Sequence, residues 1–233
     1  MASDADPKPL TRTAAILYAI GFPLSLIALV FLPAGRIGWL PGWIFIATLV
    51  AAFGLSALVL ARVNPVIFRA RSRFQPGTKK WDLILVTAIL LAFAAEIPVA
   101  AFDAGRMGWS VVPPLVITIG YLLLAGGIAL TAWAQAVNPF FEPGVRIQAE
   151  RGQHVITSGP YGIVRHPGYT AAIAMFVGIP LALGSWVALL PAVLAVALLI
   201  LRTYWEDRLL QTELPGYSDY ARERRYRLFS GIW

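Results

Sequence analysis

Apolar residues form long runs along the chain, separated by short polar stretches. Four runs reach the about 20 residues that a helix needs to cross a bilayer, and they cover residues 13–32, 39–61, 81–102 and 109–137. A fifth run, 169–201, has 33 residues and is too long for one crossing. Because Gly184 and Ser185 form a plausible turn within it, we predict a hairpin of two helices there. The pattern therefore predicts six spans, with five spans plus a re-entrant segment as the alternative.

Basic residues are distributed unevenly over the predicted loops. Of 19 Lys and Arg residues, 17 lie in the N-terminus, the 62–80 loop, the 138–168 segment and the C-terminal tail. The loops that alternate with these hold only Arg36 and Arg106. Since basic loops remain on the cytoplasmic side of a membrane, this alternation predicts six spans with both termini in the cytoplasm.

The composition supports an integral membrane protein. The chain of 233 residues is 58% hydrophobic and 13% charged, whereas soluble domains average about 25% charged residues. It has no Cys, so disulfides, thiolate metal ligands and Cys nucleophiles are excluded. The net charge of +7 could indicate a nucleic-acid partner. Because the basic residues are dispersed over several loops beside the spans, we expect contacts with membrane lipids and no nucleic acid.

Two carboxylates interrupt the third predicted span. Asp82 lies at its start and Glu96 lies inside it. A carboxylate within a membrane is a candidate functional group. We expect Glu96 instead to reach the membrane surface or to be neutral and hydrogen-bonded, since its distance from Asp82 places it towards the outer face.

Most of the remaining polar chemistry lies in two stretches, 138–169 and 202–233, on either side of the predicted hairpin. A hairpin returns the chain to the membrane face from which it started. The two stretches could therefore close over one pocket.

The first stretch contains Arg165-His166-Pro167-x-Tyr169. Pro is favoured in the first turn of a helix, so we predict that Pro167 opens the fifth span. The free N–H groups at a helix start suit an anion, and Arg165 and His166 would add a fixed charge and a titratable ring. A turn at Ser158–Tyr161 would bring Tyr161 near the same place. The alternative is an ordinary helix cap beside a juxtamembrane Arg.

In the second stretch, Arg202 and Glu206 are spaced i, i+4 and share a helix face. Four aromatic residues could line an adenine ring or a sulfonium cation: Tyr204, Trp205, Tyr217 and Tyr220. The alternative is an amphipathic helix at the membrane surface.

Taken together, these motifs resemble one family. The first motif is Gly159-Pro-Tyr-x3-Arg-His-Pro-x-Tyr169, and the predicted hairpin follows it. After the hairpin come Arg202-x3-Glu-Asp-x2-Leu210, Tyr217-x2-Tyr220, Arg227 and Gly231-x-Trp233, in that order. This order is similar to that of the isoprenylcysteine carboxyl methyltransferase family, which is akin to the phospholipid N-methyltransferases. The resemblance covers about residues 138–233. It departs from the family pattern at Asp207, where Glu is usual, and at Ala171-Ala172, where a Gly is expected.

The resemblance implies an all-α integral-membrane helical bundle of about six spans with a C-terminal cytoplasmic cofactor-binding cap. It implies one domain over 1–233, with 1–137 as a four-span part and 138–233 as the methyltransferase signature region. It also implies an S-adenosyl-L-methionine-dependent enzyme without a Rossmann domain and without a metal. The chain is rich in Arg and Ala and has no Cys. This composition suggests a bacterial source, so we expect the protein in the inner (cell) membrane.

Site residues follow from the same resemblance. The implied cofactor-binding residues are Pro160, Tyr161, His166, Pro167, Tyr169, Glu206, Tyr217 and Tyr220. The implied catalytic residues are Arg165, His166 and Glu206, and Arg165 and Arg202 would orient the substrate. We expect Glu206 to contact the cofactor's ammonium group, and the helix start near His166 and Tyr169 to contact its carboxylate.

The acceptor is expected to be lipophilic or small. A carboxylate, as in prenylcysteine O-methylation, needs no base because it is ionised at neutral pH. A phospholipid amine or a small thiol would need a proton acceptor, for which His166 and Glu206 are candidates. An NADPH-dependent reductase of the sterol type is the alternative from another enzyme class, because its C-terminal layout is similar.

Overall fold

The computed structural model describes residues 12–233, with side chains from residue 20 onward, and every regular element in this part is a helix. The eight α-helices are α1 (Arg12–Ala34), α2 (Leu40–Val63), α3 (Val66–Ala70), α4 (Lys80–Ala100), α5 (Pro114–Val137), α6 (Pro167–Ala182), α7 (Leu189–Glu213) and α8 (Tyr217–Glu223). Wider helical turns at Ala101–Met107 continue α4, and Ala149–Arg151 and Gly159–Gly162 form short tight turns. The predicted all-α class is therefore confirmed for the described residues.

Four helices are long and apolar enough to cross a membrane: Leu40–Val63, Lys80–Met107, Pro114–Val137 and Leu189–Glu213. Ile20–Ala34 and Pro167–Ala182 are apolar but shorter. At 1.5 Å per residue, α6 is about 24 Å long, which is less than the hydrocarbon thickness of about 30 Å. The described residues thus contain four candidate membrane spans, as in a membrane protein, and the six-span topology stays a prediction.

The basic segments meet at one end of the bundle, where α2, α5 and α7 finish and α4 and α6 begin; we call it the polar end. There the amide Nδ2 of Asn64 donates to the carbonyl of Gln135 at 2.7 Å, and Lys79 forms an ion pair with Glu213 at 2.9 Å. At the opposite end, the loop at Gly35 lies against the side chain of Arg106. From residue 20 onward, the segments rich in Lys and Arg therefore lie at the end of the bundle opposite to the loops that hold Arg36 and Arg106, and the membrane side of each end stays a prediction. Lys8 lies outside the described residues.

The predicted hairpin is also confirmed. α6 ends at Ala182 and α7 begins at Leu189, and Gly184 adopts φ +74° between them, a backbone conformation that favours glycine. Ser185 donates a hydrogen bond to Asp103, which fixes the turn to the end of α4. α7 extends beyond the predicted run to Glu213, so its last three turns carry polar side chains.

Helices α5 and α6 pack closely through glycine. A Cβ on Gly178 would lie 2.8 Å from the backbone nitrogen of Leu124, and one on Gly127 would lie 2.7 Å from the carbonyl oxygen of Ala171. Small residues let helix backbones approach one another within membranes. This contact holds α6, and hence the start of α6 at the polar end, in a fixed position.

Glu96 does not behave as expected. It is 0% exposed, and neither of its carboxylate oxygens has a hydrogen-bond partner in the part of the chain that the structure describes. The expectation that it reaches the membrane surface or is hydrogen-bonded was wrong, because the surrounding helices enclose its side chain completely. Asp82, by contrast, is fully buried in an ion pair at the polar end.

Candidate active site

The two polar stretches are joined by backbone pairing at the polar end. The amide of Arg165 donates to the carbonyl of Tyr226 at 3.0 Å, and the amide of His166 donates to that of Arg227 at 2.9 Å. The hydroxyl of Thr170 donates to the carbonyl of Leu228 at 2.6 Å. The C-terminal tail is thereby fixed against the start of α6, as the hairpin geometry predicted.

Pro167 begins α6, as predicted, and His166 precedes it as the capping residue. The ring of His166 is parallel to that of Tyr169, with centroids 5.6 Å apart. The hydroxyl of Tyr169 donates a hydrogen bond to Glu206 on α7. These three side chains therefore form one continuous wall that connects α6 to α7.

Asp207 is the centre of a buried polar cluster. It is 0% exposed and accepts two hydrogen bonds from the guanidinium of Arg165, at 2.8 and 2.9 Å. Nε2 of His166 lies 3.3 Å from the same carboxylate. Further hydrogen bonds come from three side chains at 2.9 to 3.1 Å: Gln211, Tyr217 and Arg227. Asp207 thus ties α6, α7, α8 and the tail together.

Arg165 lines the cavity described below, but protein acceptors surround its guanidinium. Its Nε and Nη2 donate to Asp207, and its Nη1 donates to the carbonyls of Arg224 at 2.7 Å and Arg225 at 2.9 Å. In this arrangement Arg165 anchors the tail. Its predicted task of orienting a substrate would require some of these bonds to break.

Tyr161 and Tyr220 connect the 138–168 segment to α8. The hydroxyl of Tyr220 donates to the carbonyl of Tyr161 at 2.7 Å, and the hydroxyl of Tyr161 accepts from Asn138 at 2.9 Å. Burial raises the pKa of Tyr220 to about 12, and burial also raises the pKa of Tyr161 above its usual value. Both phenols are therefore neutral at physiological pH.

Arg202 is anchored by Asp82, which lies at the start of α4. Nε of Arg202 donates to Asp82 at 2.6 Å and Nη2 donates at 3.1 Å. Nη2 also donates to the carbonyl of Pro143 at 2.8 Å, and the guanidinium lies over the Tyr169 ring, 5.2 Å from its centroid. Arg202 therefore links α4, the 138–168 segment and the wall of Tyr169 and Glu206.

A cavity of about 380 Å³ lies between these elements. Its polar part is lined by Arg71, His166, Tyr169, Arg202, Glu206 and Tyr217, among others, and its apolar part by Val86, Ile89, Leu90, Phe93, Met175 and Phe176. Leu90, which belongs to the candidate span Lys80–Met107, is also 52% exposed. The apolar part therefore reaches the surface that faces the lipid.

The cavity brings together most of the predicted site residues. Its wall includes Tyr161, Arg165, His166, Pro167, Tyr169, Arg202, Glu206, Tyr217 and Tyr220. Pro160 is buried behind this wall. Tyr204 and Trp205, two of the four aromatic residues that could line a ligand, are 40% and 39% exposed and do not line the cavity, because they lie on the outer face of α7.

Glu206 is the carboxylate of this wall that lacks an ion pair. Arg202 is paired with Asp82, Arg146 with Glu142 at 2.7 Å, and Arg165 with Asp207. In the part of the chain with described side chains, Glu206 has no basic partner within 4 Å and accepts its hydrogen bond from Tyr169. The cavity therefore offers one carboxylate that can bind a cation.

Asp82 and Asp207 have structural roles that the sequence did not predict. Asp207 was noted as a departure from the family pattern, and Asp82 as a polar residue at the start of a span. Successive residues on a helix point about 100° apart, and here Glu206 lines the cavity whereas Asp207 does not. That spacing was a signal that the acidic pair has two different roles.

Residues 115–214 match the phospholipid methyltransferase family, which confirms the resemblance to the membrane methyltransferases over that part of the chain. The cobalt-zinc-cadmium resistance protein CzcN of Cupriavidus metallidurans is similar, with 29% identity over 124 residues. The aligned part covers 52% of this chain and 52% of CzcN, so the chain spans about half the length of the curated relative it matches. Neither match is to a reductase. In the described part of the chain, no group of His, Asp and Glu side chains could hold a metal ion.

Proposed function

We propose that this protein, whose residues 115–214 match the phospholipid methyltransferases, is an S-adenosyl-L-methionine-dependent methyltransferase of the membrane. One observation carries the proposal: a single cavity joins a polar wall with an unpaired carboxylate to an apolar part that reaches the lipid-facing surface. A water-soluble cofactor and a lipophilic acceptor can meet in such a cavity. We also propose the inner membrane of a bacterium, with the polar end and both termini in the cytoplasm.

The residues present fit the cofactor. When bound, S-adenosyl-L-methionine supplies an electrophilic methyl group on a sulfonium cation. Glu206 can accept hydrogen bonds from its ammonium group, because the carboxylate lines the cavity without an ion-pair partner. Tyr169 holds Glu206 by a hydrogen bond, and Tyr161, Tyr217 and Tyr220 provide aromatic surfaces that suit a cation or an adenine ring. A volume of about 380 Å³ lies within the range of about 300–1,000 Å³ typical of small-molecule sites.

His166 and Glu206 are the proposed catalytic residues. Nε2 of His166 is directed at Asp207, so a proton held there leaves Nδ1 as the acceptor. An amine or thiol acceptor would give its proton to Nδ1 or to Glu206. A carboxylate acceptor, the one we favour, would need only orientation and exclusion of water.

Arg202 is the proposed orienting residue. Asp82 holds two of its nitrogens, and no hydrogen bond from Nη1 is found among the described residues. Because Arg202 lines the cavity, its Nη1 can donate a hydrogen bond to a substrate. Arg165 is proposed to act through position, by fixing the tail and Asp207.

Binding of the methyl donor tests the proposal. Purified protein in dodecyl maltoside is titrated with S-adenosyl-L-methionine by calorimetry, together with Glu206→Gln. Loss of a hydrogen bond between charged groups costs about 1.5–3 kcal/mol, so we expect at least tenfold weaker binding. Glu213→Gln is the matched control, since Glu213 lies on the same helix and pairs with Lys79 at the surface. Absence of saturable binding to the unmodified protein, or equal affinity of the Glu206 variant, would overturn the assignment.

A further inference from the structure

Arg71 lies in the loop between α3 and α4 and reaches the cavity. Its guanidinium carbon is 5.1 Å from the centroid of the Phe141 ring. Phe141 in turn packs on the start of α6, where a Cβ on Gly168 would lie 2.6 Å from the end of the ring. Arg73, two residues further along the loop, does not line the cavity. The guanidinium of Arg71 is therefore held beside the start of α6 by a specific contact.

The charge of Arg71 is not compensated by the protein. Among residues 20–233, no carboxylate lies within ion-pair distance of its side chain, whereas the other three arginines of the cavity wall discussed above are paired. Arg71 is exposed as a whole residue, but desolvation of its guanidinium within the cavity and the nearby positive charge of Arg202 lower its pKa from the usual value. A guanidinium stays protonated in proteins, so this place favours the binding of an anion.

The surroundings of Arg71 suit an amphiphile. Phe74 also lines the cavity, and Phe68 and Phe74 are each 40% exposed. Aromatic and basic side chains of this kind lie at the membrane surface. Arg71 and Phe74 line the same cavity as its apolar part, which reaches the lipid-facing surface at Leu90. An apolar chain can occupy that part while an anionic group lies near Arg71.

We propose that Arg71 binds an anionic group, a phosphate or carboxylate, of the methyl acceptor. This inference rests on the proposed function, because the acceptor shares the cavity with the methyl donor. Arg71 lies outside residues 115–214, which match the methyltransferase family. Acceptor selection thus depends on a loop that the N-terminal part of the chain contributes. The guanidinium can donate two parallel hydrogen bonds to such an oxyanion.

Binding of dodecyl phosphate tests the proposal. The unfolding temperature of the protein in dodecyl maltoside micelles is measured against increasing dodecyl phosphate for the unmodified chain, Arg71→Gln, Arg71→Lys and Arg73→Gln. We expect a half-saturating concentration at least tenfold higher for Arg71→Gln and an intermediate value for Arg71→Lys. Arg73→Gln is expected to match the unmodified chain, because Arg73 carries a charge in the same loop but does not line the cavity.

Three further probes identify the ligand chemistry. Dodecanoate should bind with the same dependence on Arg71, and dodecyltrimethylammonium should not. If inorganic phosphate binds as tightly as dodecyl phosphate, with the same dependence on Arg71, the oxyanion site holds and the acceptor is water-soluble. Equal binding of the cationic amphiphile, or equal losses in Arg71→Gln and Arg73→Gln, would overturn the proposal.

Titration of the same variants with S-adenosyl-L-methionine separates this inference from the proposed function. We expect Arg71→Gln to keep the affinity of the unmodified protein for the methyl donor. A loss there would place Arg71 in the cofactor site and overturn the inference. If the unmodified protein fails to bind the donor but keeps its Arg71-dependent binding of dodecyl phosphate, the proposed function fails and the oxyanion site remains.

Discussion

At the residue scale, neighbouring Glu206 and Asp207 illustrate how one helix divides two carboxylates between two tasks. Glu206 faces the cavity with Tyr169 as its hydrogen-bond donor. Asp207 does not line the cavity and is fully buried among donors from the start of α6, from α8 and from the tail. The sequence predicted the importance of Glu206, but it could not show that Asp207 is the residue that anchors Arg165.

The substitution Asp207→Asn removes the charge from this cluster while keeping its shape. Because Arg165 and Arg227 then lose the carboxylate that compensates them, we expect the free energy of unfolding to fall by about 3–5 kcal/mol. Thermal unfolding in dodecyl maltoside measures this change. Asp219→Asn is the control, since Asp219 pairs with Arg222 on the exposed surface, and a surface pair contributes about 0–1 kcal/mol. Similar losses in both variants would contradict the role of Asp207.

At the element scale, the α6–α7 hairpin and the α5–α6 contact position the site. The hairpin could be predicted from the length of the apolar run and from Gly184 and Ser185. The contact between α5 and α6 could not, because glycines occur in many apolar runs and only the folded bundle shows which of them lie between helices. Here Gly178 faces Leu124, whereas a Cβ on Gly126 would meet nothing within 4 Å.

Replacement of Gly178 by Val tests this contact. Its Cβ would lie 2.8 Å from the backbone nitrogen of Leu124 and 2.9 Å from the carbonyl oxygen of Gly120, and backbone atoms cannot yield as a flexible side chain can. We expect a loss of about 1–3 kcal/mol or more, measured as a lower unfolding temperature. Gly126→Ala should leave stability unchanged or raise it, since Ala favours helix. An unfolding temperature of Gly178→Val equal to that of the unmodified protein would show that the helices are not closely packed there.

At the scale of the whole molecule, Asp82 and Arg202 join the N-terminal helices to the region that matches the phospholipid methyltransferases. Asp82 holds Arg202 through two hydrogen bonds and also accepts one from the amide of Val145 at 2.7 Å. Pro143 accepts from Arg202 in the same place. One buried carboxylate on α4 therefore fixes both α7 and the segment that closes the cavity.

A double-mutant cycle measures this connection. Asp82→Asn and Arg202→Gln should each lower the free energy of unfolding by about 3–5 kcal/mol, because each leaves a buried charge without its partner. The double variant should lose much less than the sum of the two, since it leaves neither charge buried. Additive losses would show that the two side chains do not depend on one another.

The sequence by itself determined the membrane class, the end of the bundle that is polar, the hairpin and a set of site residues, most of which line the cavity. These features follow from runs of apolar residues, from the placement of scarce charges and from motifs within one continuous stretch. The tertiary structure decided which side chains compensate one another. It paired Asp82 with Arg202 across 120 positions, enclosed Glu96 without a partner and left Arg71 and Glu206 as the uncompensated charges of the cavity wall described above. Such pairings depend on distances between helices that the linear pattern does not contain, because each helix fixes the direction of its own side chains but not the neighbour they meet.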